Sequence, residues 1–158
     1  MGYIQSAKSD GATVHCGGEQ EGTYGFYIKP TLFTGVDADM KIMKEEIFGP
    51  VGAVVKFENE DGIYIYIFII FFSQSNCVYE DIIEKANDSI YGLAAYVFSQ
   101  SITKAIEAAH KLKAGSIFVN SASTVSPNVP FGGYKQSGFG REHGEYALDE
   151  YVANRCYE

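Results

Sequence analysis

The sequence predicts an α/β fold, a parallel sheet covered by helices, and three observations carry that expectation. Nearly continuous apolar segments at 51–57, 93–98 and 116–120 have the character of strands buried on both faces. Segments of helical period lie between them. The resulting order, strand, helix, strand, helix, strand, is that of right-handed crossover units. At 158 residues, 46% hydrophobic and 20% charged, the chain has the size and balance of one packed domain.

Along the chain, residues 3–9 read as a short helix that stops at Gly11, and 13–16 as a brief strand closed by Gly17 and Gly18. Residues 26–33, FYIKPTLF, are strand-like, although Pro30 cannot donate to a ladder and argues for an edge or a bend. Residues 51–57, VGAVVKF, read as a strand deep in a sheet. A helix is expected over 81–87, with Ile82, Ile83 and Ala86 on one side and acids in its first turn, where the macrodipole favours them. Strand 93–98, LAAYVF, follows. In the next helix Ile102, Ala105, Ile106, Ala109 and Leu112 share a face while Lys104, Glu107 and Lys111 point away, and Gly115 ends it. Residues 116–120, SIFVN, form a third buried strand. A glycine-rich loop at 130–140 then leads to a last helix near 142–148 and a short strand at 151–155. The run IYIYIFIIFF at 63–72 is the one segment of biased composition; about 20 such residues are needed to cross a bilayer as a helix, so no membrane anchor is expected.

The net charge is −8, with 20 acids against 12 Lys and Arg, which is not the footprint of a nucleic-acid partner. Cys16, Cys77 and Cys156 are odd in number and widely spaced, offering no disulfide framework; a reducing compartment fits. MGYIQSAKSDGA lacks the basic and apolar regions of a secretory leader, so the expected location is cytoplasmic.

Gly138, Gly140 and Gly144 are spaced one residue wider than the dinucleotide fingerprint, which also needs an acid about 20 residues past the glycines where only 18 residues remain after Gly140, so that site is rejected. His15 with Cys16 has no second ligand pair, and His143 with Glu145 lacks the spacing of a zinc protease helix; no metal site is expected. Cys77 sits in an acidic neighbourhood that would raise a thiol pKa, which disfavours it as a nucleophile. The stretch from Lys44 to Pro50, KEEIFGP, differs. It sets two carboxylates and an aromatic ring beside a turn that opens a buried strand, where acids can accept hydrogen bonds from sugar hydroxyls. The competing account makes Glu45 and Glu46 ordinary solvated acids and puts Phe48 in the core.

Four segments in order, KEEIFGPVGAVVKF at 44–57, NDSIYGLAAYVF at 87–98, AGSIFVN at 114–120 and PFGGYKQSGFGREHGEYAL at 130–148, closely resemble the C-terminal part of the NAD(P)-dependent aldehyde dehydrogenase superfamily. The resemblance implies that residues 1–158 are part of a catalytic domain. It implies that Glu46 binds the ribose hydroxyls beside the nicotinamide and that Phe48 packs on the nicotinamide ring. By the same carry-over Phe131, and with it Val125, lines the substrate tunnel, and 151–158 begins a strand of the family's oligomerisation sheet. The cofactor implied is NAD or NADP, the substrate a small aldehyde, and the partner a second copy or a full-length subunit.

The family's nucleophilic cysteine stands in a Gly-Gln-x-Cys setting, which none of the three cysteines shares, and no catalytic residue is assigned. The expectation is a C-terminal fragment, inactive and weak in cofactor binding by itself. A non-enzymatic module that pairs with full-length subunits is the alternative, and for an enzyme working through some other nucleophile no residue is found. The resemblance skips 62–80. Removing that segment joins FENED to DIIEKANDSIYGL in frame, and the Ile, Tyr and Phe codons of its apolar run are rich in A and T, so it reads as an unspliced intron.

Overall fold

The computed structural model describes residues 1–55, 63–67, 70–71, 79–121 and 126–152. In chain order the elements are α1 (Gly2–Ser9), β1 (Thr13–Cys16), β2 (Thr31–Thr34), α2 (Lys41–Lys44), β3 (Val51–Ala53), β4 (Ile63–Ile67), β5 (Ile70–Phe71), α3 (Tyr79–Asn87), β6 (Ala94–Ser99), α4 (Ile102–Lys111) and β7 (Ser116–Val119). Short 3-10 turns follow at Lys135–Ser137 and Glu145–Glu150. The chain forms two compact units, Met1–Gly62 with Ile69–Ala86, and Ile63–Phe68 with Asn87–Glu158.

In the first unit, α1 ends because Gly11 takes a φ of +92°, which lets the chain turn back while Ala12 donates to the Ala7 carbonyl at 2.9 Å. Strand β1 runs antiparallel to β2, with Thr13 opposite Thr34 and a bulge between Val14 and Cys16. Strand β3 runs parallel to β2, with Thr31 opposite Val51. Ile4 and Ala7 of α1, Phe33 of β2, Ile42 and Met43 of α2 and Ala53 of β3 make a common core. Residues 26–30 are not strand: Ile28 makes one isolated bridge to Gln20, and Pro30, with no N–H, precedes the point where the ladder begins. Tyr24 and Phe26 stand exposed on that loop. Helix α3 starts at Tyr79, two residues before the expected start, and buries Ile82, Ile83 and Ala86 as anticipated.

In the second unit, β6 and β7 are parallel and joined through α4, with Ala94 opposite Ser116 and Val97 opposite Val119. This is the expected crossover. On the other side of β6 lies β4, antiparallel, with Ile63 opposite Ser99 and Ile67 opposite Ala95. The apolar run is thus strand rather than loop at these residues. Ser101 caps α4, its Oγ accepting from the Lys104 N–H at 3.4 Å, and His110 and Lys111 occupy the last turn, where cations suit the dipole. The buried face of α4 is Ala105, Ala108 and Leu112, while Ile102 and Ile106 are exposed. The expected face is therefore rotated, because two alanines let the helix lie close and leave the isoleucines on its flank.

Beyond Val119, Asn120 has a φ of +49°, and its side chain takes over from the strand: Nδ2 donates to the Ser99 carbonyl and Oδ1 accepts from the Ser99 N–H, each at 2.9 Å. No α-helix forms over 142–148; His143 and Gly144, with φ of +63° and +62°, break it and a 3-10 turn begins at Glu145. Tyr151 and Val152 lie outside any strand, and the remainder of the expected strand at 151–155 lies outside the described residues, as do Val125, Cys77 and Cys156.

Candidate functional site

Helix α2 ends at Glu45, whose backbone is extended. The Glu45 carboxylate is tethered, accepting from the Tyr3 hydroxyl at 2.8 Å and lying 3.7 Å from the Lys41 ammonium, which itself sits 5.0 Å from the centre of the Tyr3 ring. Glu46 is not. Among the described residues no hydrogen bond or ion pair holds its carboxylate, which stays partly exposed. Ile47 packs on the core, so its neighbour Phe48 is turned outward and is 92% exposed. A tight turn follows, Gly49 donating to Ile47 at 2.9 Å and Val51 to Gly49 at 2.8 Å, and the Pro50 carbonyl then accepts from Thr31 to start the parallel ladder. The account that placed Phe48 in the core fails: the packed residue is Ile47.

Phe131 lies in the second unit. It exchanges two backbone hydrogen bonds with Glu142, at 2.7 and 2.8 Å, which close the glycine-rich loop at its base. Inside the loop the Arg141 guanidinium donates to the carbonyls of Gly133, Phe139 and Gly140 and stacks over Tyr134. A Cβ on Gly132 would strike the Gly140 carbonyl and the Arg141 side chain, so the close path needs glycine there.

The loop is also sewn to the turn after α3. Lys135 Nζ donates to the carbonyls of Asn87 and Ser89, both at 2.8 Å, Tyr134 donates to Gly92, Gln136 to Ile90, and the Gly92 N–H to Ser137 Oγ. Burial and the nearby Lys113 lower the Lys135 pKa, with Asp88 acting against them. The Asn87 side chain extends the seam, donating to the Lys111 carbonyl and accepting from the Lys113 N–H at 2.7 Å.

A cavity of about 630 Å³ opens beside this loop, lined in part by Leu93, Phe131, Arg141, His143, Glu150 and Tyr151. His143 Nδ1 is buried with no hydrogen-bond partner among the described residues. The left-handed backbone of His143, one of the lining residues, has no sequence signal beyond the adjacent Gly144.

Glu46 and Phe48 therefore share one corner of the first unit, and Phe131 belongs to the second; Val125 lies outside the described residues. An unheld carboxylate beside an exposed ring suits a ligand that offers hydroxyls and a flat face. Among the described residues no group of three metal-ligating side chains occurs, and no helix is long and apolar enough to cross a membrane. Cys16 is exposed, its Sγ 3.8 Å from the Pro30 carbonyl.

The model of the aldehyde dehydrogenase family matches residues 1–156. An aldehyde dehydrogenase of Agaricus bisporus is 56% identical over 152 residues, which are 96% of this chain and 27% of that protein. Aldehyde dehydrogenase 1A1 of Gallus gallus is 45% identical over 96% of this chain and 26% of its own length. Among solved structures, an NAD+ complex of aldehyde dehydrogenase from Bacillus cereus superposes with a TM-score of 0.79 at 45% identity, covering 95% of this chain and 27% of that one. The chain thus spans about a quarter of the length of the relatives it matches.

Proposed function

The chain belongs to the aldehyde dehydrogenase family, and from that premise we propose that it supplies the nicotinamide end of the cofactor site in an NAD(P)-dependent oxidation of an aldehyde to a carboxylic acid. The observation that supports the reading is the contrast at one corner: Glu45 is bound to Tyr3 and Lys41, whereas no described residue binds the Glu46 carboxylate and the Phe48 ring is exposed. Glu46 would accept hydrogen bonds from the ribose hydroxyls, and Phe48 would hold the flat face of the nicotinamide. The cofactor, NAD or NADP, supplies the hydride acceptor when bound. Phe131, with Val125, would line the passage taken by a small aldehyde, positioned by the seam through Lys135.

A polypeptide of these 158 residues has no cysteine in a Gly-Gln-x-Cys setting, so by itself it is expected neither to oxidise aldehydes nor to bind cofactor at micromolar affinity. Residues 62–80 are read as a retained intron, outside the working catalytic domain, and 151–158 as the start of an oligomerisation strand. The test is a chimera in which residues 1–61 joined to 81–158 replace the matching quarter of the Agaricus bisporus relative. Aldehyde-dependent reduction of NAD or NADP is expected, with KM for the cofactor raised in the Glu46→Gln chimera and kcat changed less. A soluble chimera without activity, or one indifferent to Glu46→Gln, overturns the reading.

A second reading, a non-enzymatic module pairing with full-length dehydrogenase subunits, is favoured by the exposure of Leu148, Tyr151 and Val152 at the end of the described chain. Co-purification with a full-length subunit that is lost in the Leu148→Ser/Tyr151→Ser variant would support it. No co-purification would remove it.

A further inference from the structure

Two acids stand side by side at the end of α2, and they are held differently. Glu45 closes the helix: its N–H donates to the Lys41 carbonyl at 3.1 Å, and its backbone is extended, with φ −112° and ψ 149°. The C-terminal end of a helix is an unfavourable place for an anion, because the unpaired carbonyls there carry partial negative charge. Two groups offset that. The Tyr3 hydroxyl, brought by α1, donates to Glu45 Oε2 at 2.8 Å, and the Lys41 ammonium lies 3.7 Å from the same oxygen while sitting 5.0 Å from the centre of the Tyr3 ring. The phenol thus meets both the acid and its cation. Along extended backbone successive side chains leave on opposite sides, so drawing Glu45 toward α1 sends Glu46 the other way. No described residue binds the Glu46 carboxylate, and Phe48, two residues on, is exposed.

We propose that Tyr3 is a positioning residue for the cofactor: with Lys41 it holds the Glu45 carboxylate away from the ligand, so that Glu46 alone presents acceptors to the ribose hydroxyls. The inference rests on the cofactor reading above and adds to it what selects between the two acids. A released Glu45 is a rival acceptor one residue away, and its charge joins that of Glu46 beside a cofactor whose phosphates are already anionic, all within a Debye length of about 10 Å. Lys41 by itself is a loose tether, since an exposed ion pair between two long side chains holds no fixed geometry. Tyr3 supplies the direction. Its ring packs against the buried core of the first unit, so its hydroxyl meets Glu45 from a seated position.

The test uses the chimera with the Agaricus bisporus relative and reads KM for the cofactor, kcat and the urea midpoint of each variant. Tyr3→Phe keeps the ring and removes the hydroxyl; KM is expected to rise about threefold to tenfold, the equivalent of one hydrogen bond, while kcat changes by less than about twofold. Tyr3→Phe/Glu45→Gln, which discharges the released acid, is expected to return KM to within about twofold of the parent. A role confined to fixing α1 at this corner would not be repaired by that second change. Lys41→Gln is the independent variant, expected to raise KM by a smaller factor that Glu45→Gln again reverses. A KM unmoved by Tyr3→Phe, or a rise that persists with Glu45→Gln, overturns the proposal. If the urea midpoint shows the Tyr3→Phe chimera unfolded, Lys41→Gln decides by the same two outcomes. A KM that rises with Glu46→Gln but not with Tyr3→Phe removes this inference alone, whereas indifference to Glu46→Gln removes the cofactor reading and this inference with it.

Discussion

The Tyr3 hydroxyl donates to the Glu45 carboxylate at 2.8 Å across 42 residues of sequence, and so fixes the start of the chain to the corner that carries Glu46. Because the bond is exposed, Tyr3→Phe is expected to cost about 0.5–1 kcal/mol in urea unfolding of the chain. Glu46→Gln, at a carboxylate that no described residue binds, should change stability by less than about 0.5 kcal/mol. A larger loss for Glu46→Gln than for Tyr3→Phe would show that the fold depends on the residue assigned to the ligand.

Lys135 combines a strained backbone with a useful side chain: its φ is +55°, and its ammonium bonds two carbonyls. Lys135→Ala removes both bonds and keeps the strain, costing about 1–2 kcal/mol for a partly solvated ammonium. Lys135→Gly loses the same bonds and relieves the left-handed backbone, and should be about 1 kcal/mol less damaging than alanine. Chemical denaturation of both variants gives the order; alanine milder than glycine would contradict the geometry.

Gly115 and Gly138 are required for different reasons. A Cβ at Gly115 would overlap the Gly132 carbonyl, so Gly115→Ala should cost about 3 kcal/mol or more. Gly138 has open space around it and a φ of +114°, so Gly138→Ala should cost only the conformational strain, about 1–3 kcal/mol. Thermal melts of the two variants separate overlap from strain.

Lys44 lies 2.8 Å from Asp39 and lowers its carboxyl pKa below the ordinary 3.8 through a hydrogen bond first and charge attraction second. With the folded pKa depressed, the stabilisation is fully present above the unfolded value and disappears as pH falls through the folded one. Lys44→Met should return the Asp39 titration, followed by carbon shifts, toward 3.8. The stability gap between the two proteins should close at low pH; a gap that widens as pH falls would reverse the sign.

If residues 62–80 are a retained intron, transcript reads should include a species that joins the Asp61 codon to a regenerated Asp codon at 81, with GT inside the Gly62 codon and AG across the Glu80 and Asp81 codons. Uniform retention, or DNA without those dinucleotides, removes the intron and leaves a genuine insertion.

Strands β1, β6 and β7 and helix α4 were legible because their apolar patterns follow from local geometry: β1 falls on 13–16, and β6 and β7 fall within a residue of expectation. What local pattern does not carry is which flank of a helix meets the sheet: of the expected face Ala105 and Leu112 are buried, Ile102 and Ile106 are exposed, and Ala108 is buried in their stead. Backbone sign is equally hidden. His143 and Lys135 take left-handed conformations that glycine usually marks, and they undo the expected helix at 142–148 and shape the seam. At the candidate site, the family resemblance already singled out Glu46 and Phe48, whereas the bond that ties down Glu45 depends on Tyr3, remote in sequence.

The amide of Asn120 gives the β6 to β7 ladder one more rung than the backbone of β7 provides. That rung has a shelf life. Hydrolysis of the side-chain amide to a carboxylate, the common ageing reaction of asparagine, would keep an acceptor for the Ser99 N–H but replace the donor with a negative oxygen facing the Ser99 carbonyl. The sheet end would open by a single covalent event of one mass unit, and aged preparations would carry a frayed population that fresh ones lack.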